Sequence, residues 1–323
     1  MNCFVPSLGF DLGRLKGSTL IVPSVSIGNV PQLSMDLLLT TLSLERVGCI
    51  EDENVIPVVG PADRPHGGPK GHSSPNAGIS LAVEVFQTKD GAWTLIQQRS
   101  PTVSKRSHYY TDNLVQFIKD AGFGLVVQLT SADGARRVDT QLRSSVPVRY
   151  IASPTLSESL LQTLTRLELL PLENVSTAED EARRDFIRRE ERRLEQERLE
   201  AAQSSSSSGG NKNGTGLAEK VQDIQLEAHQ QVLEKVPRIP NGGIARRLHS
   251  HCQEQNVGIL TIVKFAMEGD NAPDAIFLAN VLNAVFKIHV PTAEQINKGE
   301  ESWKYPQSWD SLYGNTFHQD MYQ

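Results

Sequence analysis

Hydrophobic residues fall into two alternating patterns along most of this chain: short apolar runs, and stripes at helical spacing. Residues 19–26 (TLIVPSVS) form a continuous run that predicts a buried strand, closed by a Gly28-Asn29 turn. From Val30 onward, Leu33, Leu37, Leu38 and Leu42 recur every three to four residues, the spacing of one helix face. Strand, tight turn and helix together open a βα unit. Short strands are expected at 47–50 and 55–59. Residues 79–87 and 92–99 flank Lys89-Asp90-Gly91; the first arm alternates Leu81, Val83 and Val85 against Ala82, Glu84 and Phe86, and Asp-Gly is a strong hairpin turn. A helix over 109–121 leads through Gly122 and Gly124 into a strand at 125–130. A strand at 148–152, a helix at 157–169, a strand at 257–265 and a helix at 273–288 complete the series. Strands alternating with helices imply an α/β layered sheet carrying one antiparallel hairpin.

Two stretches break the pattern. Residues 61–76 (PADRPHGGPKGHSSPN) are rich in Pro and Gly and have no apolar period, as in a surface loop. Residues 174–237 are different in kind. Ser176 and Glu179 form a capping box that opens a run of alternating charges, supported by opposite charges three and four residues apart. Only Phe186, Ile187, Leu194 and Leu199 are apolar there, too few for a core-facing stripe. A Ser/Gly-rich linker and a second polar helix over 217–235 follow. The stretch reads as a solvated helical insertion, or alternatively as a coiled-coil arm. It accounts for an overall hydrophobic content of 38%, against roughly 45–50% in typical domains. One α/β domain is therefore expected from 1–173 and 238–315, with the insertion at 174–237 and a tail at 316–323.

Net charge is −6 and no basic face is evident, which argues against nucleic acid and anionic membranes as partners. Cys3, Cys49 and Cys252 are odd in number, widely spaced and without a Cys-x-x-Cys pair, as in a reducing compartment. The first residues lack a charged leader before an apolar core, and no run approaches the roughly 20 apolar residues of a membrane span. A location in the cytoplasm or nucleus is expected.

One loop has the makings of chemistry. Glu268, Asp270 and Asp274 fall between a strand and a helix, at the carboxyl edge where α/β folds bind ligands. Three acids so close could hold a divalent metal or exchange protons. Equally, Glu268-Gly269-Asp270-Asn271 suits a structural turn, with Asp270 or Asn271 capping the next helix and Asp274 in its first turn. Other candidates are thinner. Residues 239–244 (IPNGGI) lack the Lys-Ser/Thr of a phosphate loop and the third glycine of a dinucleotide fingerprint. His66 and His72 lack further metal ligands; His249 and His251, two apart on a helix, point to different faces. Ser24 and Ser26 lack the Gly-x-Ser-x-Gly elbow of a hydrolase. No cofactor is called for.

Five blocks together resemble the proteasome assembly chaperone 2 family: residues 20–42, 139–154 (DTQLRSSVPVRYIASP), 239–248 (IPNGGIARRL), 263–275 (VKFAMEGDNAPDA) and 303–315 (WKYPQSWDSLYGN). The resemblance implies a layered α/β/α sandwich like that of nucleoside phosphorylases, here carrying a charged helical insertion. It also implies a binding protein rather than an enzyme. Such a protein pairs with proteasome assembly chaperone 1 on the forming α-subunit ring of the proteasome core particle, promotes ring formation and blocks off-pathway association. A hydrophobic-Tyr-any tail that enters pockets between α subunits is matched by Met321, Tyr322 and Gln323. Trp303, Trp309, Tyr313 and Phe317 either fix where that tail leaves the body or simply pack on the domain. The rival reading is a nucleoside hydrolase or phosphorylase using Glu268 and Asp270.

Overall fold

The computed structural model describes residues 3–42, 44–62, 79–142, 146–174, 236–290 and 303–311. By packing, the chain divides into one unit of Met1–Leu172 with Ile239–Gln323 and a second of Glu173–Arg238. The expected charged insertion, most of the Pro/Gly loop with His66 and His72, Tyr313, Phe317 and the tail Met321-Tyr322-Gln323 lie outside the described residues.

The first unit begins with β1 (Phe4–Pro6), β2 (Thr19–Pro23), α1 (Val30–Thr41), β3 (Leu44–Ile50), β4 (Val59–Pro61), β5 (Ile79–Leu81), β6 (Val83–Thr88) and β7 (Trp93–Gln98). It continues with α2 (Ser107–Ala121), β8 (Leu125–Asp133), α3 (Asp139–Leu142), β9 (Val148–Ala152), α4 (Glu158–Arg166) and β10 (Leu170–Pro171). It closes with α5 (Ala245–Glu254), β11 (Ile259–Ala266) and α6 (Ala272–Phe286). Nine strands form one sheet in the order β1-β3-β6-β7-β2-β8-β11-β9-β10. The centre, β7-β2-β8-β11, is parallel. The hairpin β6–β7 and strands β3 and β1 extend one side antiparallel, and β9 runs antiparallel to β11 on the other.

Side chains alternate across the sheet and feed two cores. Leu20, Val22, Ile96 and Val126 pack with Leu114, Phe117 and Ile118 of α2 and Leu248 and Cys252 of α5. Ile21, Leu95, Val127, Leu129, Leu260 and Ile262 pack on the other face with Met35, Leu37 and Leu38 of α1, Leu164 of α4 and Leu278 and Leu282 of α6. Helices cover both faces, an α/β/α layering, and this explains why the central strands read as unbroken apolar runs. The helix boundaries have local causes. Pro31 sits in the first turn of α1, where its missing N–H costs nothing, and α2 ends on Gly122 in the left-handed conformation at φ 69°.

Three expectations are corrected. The first strand stops at Pro23 rather than residue 26, since Ile27–Asn29 form a short 3-10 turn with Gly28 at φ 69° and Asn29 at φ 51°. No strand spans 55–59: Pro57 supplies no N–H to a ladder, Val55 makes only an isolated bridge to Thr102, and β4 starts at Val59. The first arm of the hairpin is cut at Ala82. β5 pairs with β4 in a separate two-stranded ribbon, and β6 alone joins the sheet. The three-residue edge strand β1 carries too little pattern to be read from sequence.

Candidate functional site

Because β7, β2, β8 and β11 run parallel, their carboxyl ends share one edge, the usual ligand crevice of an α/β sheet. Here the chain's own backbone fills it. Ser24 Oγ donates to Gly242 O at 2.8 Å, and Thr130 Oγ1 donates to the same carbonyl at 3.1 Å. The amide of Asp133 donates to Pro240 O, and that of Ile27 to Asn241 O, both at 3.0 Å. Asn241 Nδ2 reaches Asp133 Oδ2 at 3.3 Å. Residues 240–243 thus lie across the ends of β2 and β8. The approach is too close for a side chain: a Cβ on Gly243, which sits at φ 61°, would stand 2.1 Å from Val25 O. In the IPNGG segment Gly243 thus lets backbone meet backbone.

The serines that head this edge are committed to structure. Ser24 is fully buried and bonded to Gly242 O. Ser26 Oγ and Ser131 Oγ lie 2.7 Å apart, with Ser24 O and Ile27 O respectively within hydrogen-bond distance, so the two hydroxyl protons are shared among these local partners. A cavity of about 220 Å³ remains beside them, lined by Val25, Gln98, Pro101, Thr102, Ser107, Gly243 and Ile244. The Gln98 amide is turned away from ligand duty: Nε2 donates to Ser100 O at 2.9 Å and Oε1 accepts from Tyr110 OH at 3.2 Å.

The acidic loop does not converge. Glu268, Gly269 and Asp270 are exposed. Asp270 Oδ1 accepts from Ala272 N at 3.1 Å, a turn-forming bond at the start of α6, and Asn271 Nδ2 donates to Gly269 O at 2.9 Å. Asn271 is buried, and its side chain lies where a Cβ on Gly28 would stand, so this loop packs directly on the turn after β2. Asp274 is spent on Lys264, whose Nζ lies 2.7 Å from Asp274 Oδ1 and also donates to Phe265 O at 2.8 Å. Among the described residues, no group of three His, Cys, Asp or Glu side chains could hold a metal ion. Asn271 is the N-cap residue and makes no side-chain capping bond, so the anticipated cap is replaced by the Asp270 turn, while the first-turn position of Asp274 is present.

The two α5 histidines point apart. His251 Nδ1 lies 3.0 Å from Asp112 Oδ1 on α2. His249 is buried, with Nδ1 2.8 Å from Thr261 Oγ1, which donates to Gln128 Oε1 at 3.0 Å. Thr261 has one hydroxyl proton, so with that donation in place His249 is the Nδ1–H tautomer. Burial pushes its pKa down to about 4, so it is neutral near neutral pH. Burial likewise raises the Cys252 thiol to about 12. Neither group is poised for catalysis.

Sequence reasoning missed a charge network centred on the buried Glu84, under the β4–β5 ribbon. Glu84, on β6, lies 2.9 Å from Arg46 Nη1 and 3.9 Å from Arg99 Nε and accepts from Ser80 Oγ; Arg99 also meets Asp36 at 3.1 Å. An alternating strand pattern gives no sign that a glutamate faces inward. Also unanticipated is how the end of the described chain is held. Trp303 is 3% exposed and its indole N–H donates to Asn280 Oδ1 at 2.7 Å. Lys304 N donates to Thr41 Oγ1 at 2.9 Å, and Thr40 Oγ1 donates to Lys304 O. Packing, one of the two readings for Trp303, is present.

A model of the PAC2 family matches residues 20–304, most of the chain. The chain belongs to the PAC2 family. Its match to the family runs through both faces of the sheet and through the crevice-filling segment. The human protein named proteasome assembly chaperone 2 is 27% identical over 312 residues, covering 97% of each chain. Its namesake from Nematostella vectensis is 30% identical over 273 residues, covering 83% of this chain and 88% of that one. Among solved structures, Pyrococcus furiosus PbaA, described as an archaeal homolog of proteasome-assembly chaperone, superposes with a TM-score of 0.50 at 11% identity, covering 88% of each chain. At that identity the likeness is one of fold. It places this PAC2 family member among proteins with the same mixed α/β sheet.

Proposed function

We propose that this PAC2 family protein is a proteasome assembly chaperone that works by binding and carries out no chemistry. The observation that carries the reading is a family match over nearly the whole chain, to relatives bearing that name. Support comes from the crevice at the strand ends: its backbone and hydroxyl groups are bonded to residues 240–243, and of the acids beside it Asp270 closes a turn and Asp274 sits in an ion pair. No described helix is long and apolar enough to cross a membrane.

In the finer reading, the protein pairs with proteasome assembly chaperone 1, in cytoplasm and nucleus, and the pair promotes formation of the proteasome α ring. Met321, Tyr322 and Gln323 supply a docking tail. A terminal carboxylate there would meet a pocket lysine in a charge-assisted bond, Tyr322 would bury its ring with its hydroxyl paired, and Met321 would fill an irregular apolar wall. Such a tail adds little alone and gains through effective concentration once the body is bound.

The test is capture of the full chain from native extract. Recovery of proteasome α subunits together with a second chaperone of similar size is the expected result; recovery of neither would sink the assignment. The hydrolase or phosphorylase alternative is checked by turnover of a nucleoside panel. Activity abolished by Glu268→Gln would overturn the non-enzymatic reading.

A further inference from the structure

The chain leaves α6 at Phe286 and is described to Val290, and the described stretch that follows, 303–311, is back against α1 and α6. Trp303 is inserted into the core between these helices, and Tyr305 and Trp309, with rings 5.7 Å apart, pack against the same cluster. Hydrogen bonds hold the entry from both helices. Asn280 of α6 accepts the Trp303 indole proton, while Thr40 and Thr41, the last residues of α1, bond the carbonyl and amide of Lys304. His289 adds a ring contact to Trp303 at 5.7 Å. An aromatic plug with backbone clamps on either side is more than a stretch of chain passing over a surface needs.

We propose that this clasp is a positioning device: Trp303, with Asn280, Thr40 and Thr41, fixes the point on the body from which the terminal segment reaches for its pocket. The inference rests on the tail-docking reading above and adds the residues that set the tail's origin. The physical basis is tether length. Twelve residues follow Ser311, whereas 33 follow Val290, the last described residue before the clasp. At full extension these span about 40 Å and about 110 Å respectively. Effective concentration falls roughly as the −3/2 power of tether length, so opening the clasp lowers the tail's contribution to binding about fivefold.

The experiment uses the full chain with its partner chaperone and purified rings of proteasome α subunits. Affinity is measured with and without residues 321–323 in three backgrounds: native, Trp303→Ala, and the milder double variant Asn280→Ala with Thr41→Val. Thermal melts confirm that each background folds, and should Trp303→Ala unfold, the double variant releases the clasp by removing its hydrogen bonds while retaining the Trp303 side chain. The readout is the ratio of the tail-deleted Kd to the full-length Kd. A clasp that positions the tail predicts a ratio about fivefold smaller in the clasp variants. A clasp that merely stabilises the body shifts both affinities together and leaves the ratio alone, which would overturn the proposal. If deleting 321–323 changes nothing even in the native background, the tail reading itself falls and takes the clasp's role with it.

Discussion

Lys264 Nζ and Asp274 Oδ1 are 2.7 Å apart, joining the end of β11 to the first turn of α6. Lys264 is buried, and that carboxylate is its ion-pair partner. Removing one partner of such a pair leaves an uncompensated charge out of water. Asp274→Asn should therefore lower unfolding free energy by roughly 1–3 kcal/mol, whereas Glu268→Gln, at an exposed side chain, should stay within about 0.5 kcal/mol. Urea denaturation of the two variants distinguishes a structural acid from an idle one. Equal losses would contradict the division of roles within this loop.

The crevice-filling segment predicts a contrast between two glycines that both have positive φ. Gly9, at φ 79°, has open space where a Cβ would stand, while Gly243, at φ 61°, would drive its Cβ to 2.1 Å from Val25 O. Gly9→Ala should cost only about 1 kcal/mol, the left-handed penalty. Gly243→Ala should cost several-fold more, because the clash is with the Val25 carbonyl and with Ser24 Oγ and displaces the bonds to Ser24 and Thr130. Melting temperatures measured side by side settle it, and comparable shifts would mean the segment is not tightly seated.

His249 makes stability depend on pH with a defined sign. Its folded pKa, about 4, lies below the ordinary value of 6.5, because burial disfavours the charged form. Between those values the unfolded chain binds the proton and the folded chain does not, so acid favours unfolding. The stabilisation is complete above pH 6.5 and is lost as pH falls toward 4, an effect on the order of 3 kcal/mol. His249→Gln should flatten that limb of the stability curve. A variant with the same slope between pH 6.5 and 4 would show that other groups govern it.

The cysteines should separate by exposure. Cys252 and Cys3 are buried with raised thiol pKa values, and Cys49, raised more by burial than by Glu51, is only half-buried. Thiolate is the reactive form. Under native conditions at about pH 8, near the ordinary thiol pKa, a small aromatic disulfide reagent should label Cys49 slowly and the other two only on unfolding. Rapid labelling of Cys252 would show that α5 opens locally.

The sequence alone carried the order of elements, the layered α/β class, the two histidines on different faces and the family, because each rests on patterns within a few residues or on blocks in a fixed order. Period-2 and period-3.6 spacing reports which side of an element is apolar, and from 107–121 or 259–266 that is nearly all one needs. It did not carry the strand break at Ala82, the failed strand at 55–59 or the inward-facing Glu84, since each depends on what lies alongside in the sheet. The fate of the acidic loop and of the serines was decided only in three dimensions. Ser24 meets Gly242 across 218 positions of chain and Lys304 meets Thr41 across 263. Sequence spacing holds no information about such pairings; they are set by how two faces of one sheet are covered.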